Sequence, residues 1–214
     1  LLTEEAGVQS LDRFNFRKHW QIPVKNGASS EIEFSDGNLF FGANDGAFYA
    51  VNAEFGRVLW KYVTKLPVVA KPFIINKKVY FTSSDDVVYC LEQDTGKWVW
   101  HYKRGGNFIT TVRGNSTPTV FDGKVYVGFS DGYVVALNAK DGNIIWEQRI
   151  HHASKFSDVD AQAVVEESTV YIPSYDGALY ALKRKGGEVL WRFDAGGAKQ
   201  VSIEGETLYL SSSD

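Results

Sequence analysis

The chain has 214 residues, a formal net charge of −3, 14% aromatic residues, 20 glycines and one cysteine. A near-neutral balance without a basic run excludes nucleic acid as a partner, and no apolar run is long enough to cross a bilayer as a helix. One cysteine excludes an intrachain disulfide, and the glycine and aromatic content suits an all-β chain of tight turns and packed sheets.

In chain order, five of the tryptophans, Trp20, Trp60, Trp100, Trp146 and Trp191, lie 40, 40, 46 and 45 residues apart, and the last four each follow a glycine by four positions. A period in the forties with several short strands per unit is the mark of a β-propeller, one blade per repeat. The first turn of each unit reads Asn44-Asp45-Gly46, Ser84-Asp85-Asp86, Ser130-Asp131-Gly132 and Tyr175-Asp176-Gly177, with the Asp always 15 residues before the Trp. Asp-Gly there predicts a tight type I′ hairpin, whose central residues need φ > 0, and Asp86 tolerates that region. The second turn ends in Gly56, Gly96, Gly142 and Gly187. Between the turns, Phe48 to Val51, Val88 to Leu91, Val134 to Leu137 and Leu179 to Leu182 read as strands buried on both faces. Each unit is thus four antiparallel strands, and the outer-strand Trp fills the wedge between diverging blades while its N–H reaches a partner.

The expected arrangement is a lone outer strand at 12–24, complete blades at approximately 29–63, 68–103, 116–150 and 161–194, and the first two strands of a fifth blade at 198–214. A lone outer strand would meet a second strand in parallel, whereas blade neighbours are antiparallel. The chain is therefore expected to be a fragment of a propeller of roughly six to eight blades, with strand edges open to pairing. It opens on Leu1 and contains no Met, so a natural start, with any targeting segment or lipidated cysteine, is expected upstream.

Cys90 occupies the slot held by Ala50, Ala136 and Ala181, as a buried small residue does. His151 and His152 are adjacent, so an extended chain points them to opposite sides, and the four histidines form no metal set. No catalytic signature is present: no Gly-x-Ser-x-Gly elbow, no phosphate-binding glycine loop and no His-Glu-x-x-His helix.

The repeat is interrupted in two places. From each Trp to the next first-turn Asp the spacing is 25, 25, 31, 30 and 23 residues. The two long connections, 103–116 and 151–161, belong to neighbouring blades, and both are expected to project from the end that carries the Asp turns. Loops that depart from a repeat on one face are the usual place for a binding surface. The first contains Thr110, Val112, Arg113, Gly114, Ser116, Pro118 and Thr119; the second contains Ser157-Asp158-Val159-Asp160.

On these residues the chain resembles the BamB family of outer-membrane assembly lipoproteins, within the quinoprotein-type repeat propellers. That family carries Leu-x-Leu-Arg-Gly-x-Ser-x-Pro-Thr and, one blade later, Ser-Asp-Val-Asp. The resemblance implies a non-enzymatic scaffold without cofactor or metal, lipid-anchored at the periplasmic face of the outer membrane. Its implied partners are the periplasmic domains of BamA, with unfolded outer-membrane proteins as a second class. Carried over, the partner-binding residues are Thr110 and Val112 at the leucine positions, Arg113, Asp158 and Asp160. Thr110 departs from the apolar pattern. Arg113 with the two aspartates also reads as an intramolecular ion pair that steadies two loops, a surface interaction of about 0 to 1 kcal/mol. Two other classes stand beside this one: an extracytoplasmic sensor propeller, and a quinoprotein dehydrogenase, whose adjacent cysteine pair a chain with one cysteine does not contain.

Overall fold

Runs of β-branched and aromatic residues bounded by Gly, Asp and Asn form strands in the computed structural model, which describes residues 2–3, 7–105, 116–150, 159 and 161–212. Every regular element among the described residues is a strand. Four four-stranded sheets follow one another, each with its strands in sequential order. They are Glu33–Ser35, Asn38–Gly42, Ala47–Asn52, Val58–Val63; Phe73–Ile75, Lys78–Ser83, Val87–Glu92, Trp98–Lys103; Thr119–Phe121, Lys124–Gly128, Tyr133–Asn138, Ile144–Arg149; and Val164–Val165, Thr169–Pro173, Ala178–Lys183, Val189–Asp194. We call these the first to fourth blades. The chain divides into two compact units, Leu1–Val99 and Trp100–Asp214, the boundary falling inside Trp98–Lys103.

Two details differ from the sequence expectation. The strand around Trp20 is not alone: Gly7–Leu11 pairs antiparallel with Lys18–Ile22, and Leu2–Thr3 pairs with Gly7–Leu11. The segment carries the third and fourth strands of a repeat, so the orphan-strand argument loses its premise. Its turn hid the homology, because Phe16, at φ 58°, stands where the other repeats have glycine. The turn is nonetheless the same. The Phe16 N–H donates to Asp12 O as the Gly56 N–H donates to Asn52 O.

The Asp turns are also not type I′. Only Gly46, Asp86, Gly132 and Gly177 have positive φ; the preceding Asp residues do not. The Ala43 N–H donates to Ala47 O and the Gly46 N–H to Ala43 O, which makes a three-residue loop, a type I turn closed by a left-handed residue. In this loop an Asp45 carboxylate oxygen accepts the Ala47 N–H, and Asp131 and Asp176 do the same for Tyr133 and Ala178. The Asp is there for that bond, and its other oxygen stays available.

Cores form between successive blades. In the first unit, alternate residues Val87, Tyr89 and Leu91 of a third strand insert against Phe40, Phe48 and Ala50 of the preceding blade, beside Val79 and Phe81. Phe48 stacks on Phe81 with centroids 4.2 Å apart. In the second unit, Ala178, Tyr180 and Leu182 insert in the same way against Val134, Ala136 and Trp146. Each fully buried large side chain contributes roughly 1.5–3 kcal/mol.

The tryptophans tie these junctions. A β-bulge after Ser10, Ala50, Ala136 and Ala181 sets Trp20, Trp60, Trp146 and Trp191 opposite those small residues. Trp20, Trp60, Trp100 and Trp146 then lie flat on Gly56, Gly96, Gly142 and Gly187 of the following repeat, where a β-carbon would come within 2.5–2.7 Å of the ring. The same four indole N–H groups donate to the carbonyls of Ala53, Gln93, Ala139 and Arg184, three residues before each glycine.

Candidate protein-interaction site

In the second unit the two long connections leave and re-enter the blades side by side, and the described residues at their feet hold one another. The first connection ends at Ser116, fully buried, whose hydroxyl donates to the Ala161 carbonyl at 2.7 Å. Ala161 is where the second connection ends. Three residues on, Thr119 Oγ1 donates to Ala163 O, also at 2.7 Å. The conspicuous Ser-x-Pro-Thr run therefore works as a clasp between two inner strands.

Val159, in the middle of Ser157-Asp158-Val159-Asp160, is fully buried. Its N–H donates to Phe129 O at 3.1 Å. Its side chain covers Gly128, where any β-carbon would collide with it. Val68 covers Gly42 in the same manner in the first unit. The apolar residue of the motif is thus an anchor in the core.

The starting foot of the first connection is Arg104, 9% exposed. Its Nε donates to the first-turn Asp131, its Nη1 donates to Glu147 at 2.7 Å, and its guanidinium lies 3.9 Å from the centroid of the Tyr133 ring. Burial opposes the charge on Arg104, but the hydrogen bonds to Asp131 and Glu147 outweigh it and raise its pKa further. The foot therefore stays cationic at every accessible pH. Asp131 being one of its partners, this foot lies at the Asp-turn end of the third blade.

This cluster replaces an arrangement that the first and fourth blades make internally. In the first blade Asp45 accepts from the Tyr49 hydroxyl at 2.7 Å and from Lys61 at 3.0 Å. In the fourth, Asp176 accepts from Tyr180 at 2.7 Å, and Arg192 Nε donates to the Tyr180 hydroxyl at 3.0 Å. The third blade has Val135 and Glu147 in the Tyr and basic positions. Its turn carboxylate takes its cation from Arg104, at the root of the long connection. Sequence reading passed over Arg104, though a Glu in a slot held elsewhere by Lys61, His101 and Arg192 was a legible sign.

Thr110, Val112, Arg113, Asp158 and Asp160, the residues singled out from sequence, lie outside the described residues, as do His151 and His152. Among the described residues no group of three His, Cys, Asp or Glu side chains is placed to hold a metal ion. Cys90 is fully buried, and desolvation pushes its thiol up to about 11, as expected of a packing residue.

A family model described as outer membrane protein assembly factor BamB matches residues 4–214. The outer membrane protein assembly factor BamB of Shewanella oneidensis is 26% identical over 173 residues, 76% of this chain and 44% of that protein. A quinoprotein ethanol dehydrogenase of Pseudomonas putida is 29% identical over 113 residues, 47% of this chain and 18% of that protein. The chain therefore spans less than half the length of these curated relatives. Among solved structures, the crystal structure of BamB from Moraxella catarrhalis superposes with a TM-score of 0.70 at 20% identity, covering all of this chain and 82% of that one. The fold class is a β-propeller of four-stranded antiparallel blades, as the repeat period implies.

Proposed function

This chain belongs to the family of the outer membrane protein assembly factor BamB, and from that membership we propose that it serves as a non-enzymatic accessory in outer-membrane protein assembly, docking on the periplasmic domains of BamA through its two long connections. The observation that carries the reading is the clasp: Ser116 on Ala161 and Thr119 on Ala163 join the ends of both connections, so the runs bearing Arg113 and Asp158 to Asp160 are tethered to a common base. The Arg104 cluster and the Val159 anchor stiffen that base. A preorganised base lowers the freedom lost when a partner binds beside it.

The chemistry of the proposed contact is mixed. Arg113 supplies a planar, multi-donor anchor, Val112 and Thr110 add contact area, and Asp158 and Asp160 accept hydrogen bonds from partner N–H or basic groups. The protein would act by position, orienting the domains it binds, at the periplasmic face of the outer membrane where a lipid anchor on the whole protein would hold it. Unfolded outer-membrane proteins are a second class of partner under the same proposal.

The test is binding of the chain to the BamA periplasmic domains, compared with an Arg113→Glu/Asp158→Lys/Asp160→Lys variant shown by circular dichroism to be folded. The expected result is saturable binding weakened at least tenfold in the variant, about 1.4 kcal/mol or more. Binding indifferent to the three changes would overturn the site. No binding by the folded wild type would favour a sensor or other interaction propeller.

A further inference from the structure

Among the described residues of the second unit, the exposed large apolar side chains lie on outer strands or on Thr207–Ser212, with one exception. Tyr175, 47% exposed, stands at the tip of the fourth blade's Asp turn. The same position holds Asn44, Ser84 and Ser130 in the first three blades, short polar residues that suit a turn. The turn itself makes no demand for a ring. Its bonds run from the Ser174 N–H to Ala178 O, from the Gly177 N–H to Ser174 O and from the Ala178 N–H to the Asp176 carboxylate, and none uses the Tyr175 side chain.

The repeat shows what this tip stands beside. In the first blade the Asn44 N–H donates to Gly27 O at 3.0 Å, and in the second the Ser84 N–H donates to Pro67 O at 2.8 Å. Gly27 and Pro67 both belong to the connection that enters the same blade. The turn position therefore flanks the entering connection, and for the fourth blade that connection is the second long one, 151–161. The connection that leaves the blade closes the turn as well: the Ala195 and Gly197 N–H groups donate to Gly177 O at 2.9 and 3.3 Å. The ring is thus exposed on a completed turn, not at a strand edge.

The tip is also held firmly. Asp176 accepts from the Tyr180 hydroxyl at 2.7 Å, Arg192 Nε donates to that hydroxyl at 3.0 Å, and Arg192 Nη2 lies 3.5 Å from Asp176. A tyrosine on a rigid turn offers a large contact area at low conformational cost, and tyrosine is among the residues that dominate interface energetics. The set Thr110, Val112, Arg113, Asp158 and Asp160 contains no aromatic residue. We infer that Tyr175 is a further contact residue of the docking surface, its ring packing on an apolar side chain of the partner beside the second long connection. The inference rests on the reading that the long connections dock on the BamA periplasmic domains.

The experiment measures binding of the 214-residue chain to the BamA periplasmic domains for wild type, Tyr175→Ser and Tyr175→Phe. Serine is the residue of two other blades at this position, so the fold is expected to be kept, and circular dichroism checks it. The expected result is affinity weakened at least tenfold by Tyr175→Ser and kept within about threefold by Tyr175→Phe, because the ring supplies the contact. In a second measurement Tyr175, and Ser84 as the control on the first unit, are each replaced by the photoreactive p-benzoylphenylalanine. A crosslink to the partner is expected from position 175 and none from position 84. Binding that the Arg113→Glu/Asp158→Lys/Asp160→Lys variant loses and Tyr175→Ser keeps overturns this inference alone. A loss in Tyr175→Ser without a crosslink from position 175 also overturns it, since the ring then acts only within the protein. Absence of binding by the folded wild type overturns the docking reading and this inference with it.

Discussion

At the scale of single residues, the same side chain has two different values along this molecule. Trp146 is 7% exposed, rests on Gly187 and donates to Arg184 O, whereas Trp191 has the same sequence context and is 43% exposed. Trp146→Ala is expected to cost about 3–5 kcal/mol, as for a buried aromatic, and Trp191→Ala only about 1 kcal/mol; urea unfolding of the two variants measures the difference. Cys90 gives a pH effect of definite sign. Its folded pKa, raised by burial from 9.0 to about 11, means the native state favours the neutral thiol. That contribution is fully present below pH 9 and is lost as pH rises from 9 towards 11, because the unfolded chain ionises first. Cys90→Ala, the residue found in the other repeats, should flatten the fall in stability over that window in pH-dependent unfolding. Burial also raises Tyr80, so some decline above pH 10 remains.

At the scale of the element, one turn carboxylate per blade organises the Asp-turn end, and the blades satisfy it differently. The first and fourth use a Tyr from the third strand and a Lys or Arg from the fourth; the third uses Arg104 from outside the hairpin. Glu147→Lys, which copies the first blade, should therefore destabilise the second unit rather than regularise it. It removes a charge-assisted bond to Arg104 and sets two cations together, costing about 1–2 kcal/mol, at the low end because Glu147 is 44% exposed. Adding Arg104→Thr, after Thr64 in the first unit, should recover part of the loss; thermal unfolding of single and double variants checks this. The repeat made the Asp turns plain in the sequence, but not their geometry. Asp-Gly serves both a two-residue and a three-residue hairpin, and the choice rests on which backbone groups face each other across the strands.

At the scale of the whole molecule, four blades were legible because each needs the same Trp, Gly and small residue at one spacing, and the ring-on-glycine contact tolerates no other residue there. The N-terminal hairpin was not legible, because Phe16 broke the glycine pattern while keeping the left-handed conformation that made it a member. The loop pair was found by its departure from the period, and its motif was read as a set of partner contacts. The structure adds a base beneath that set: Ser116, Thr119 and Val159, flanking or between the residues assigned to the partner, hold the ends of the two connections. Docking through Arg113, Asp158 and Asp160 remains the proposal that the BamA binding comparison decides.

By itself the sequence determined the all-β class, the number of complete blades, the registry of the tryptophans and the position of the two long connections. All of these follow from short-range spacing repeated along one chain. Only the tertiary structure decided which residues carry each junction. The carbonyl that receives an indole N–H, the cation that settles on Asp131 and the hydroxyl that clasps two connections come from elements some 27 to 45 residues apart. Local pattern does not encode such pairs; they exist because packing one twisted sheet on the next brings buried polar groups together, and a buried polar group needs a partner.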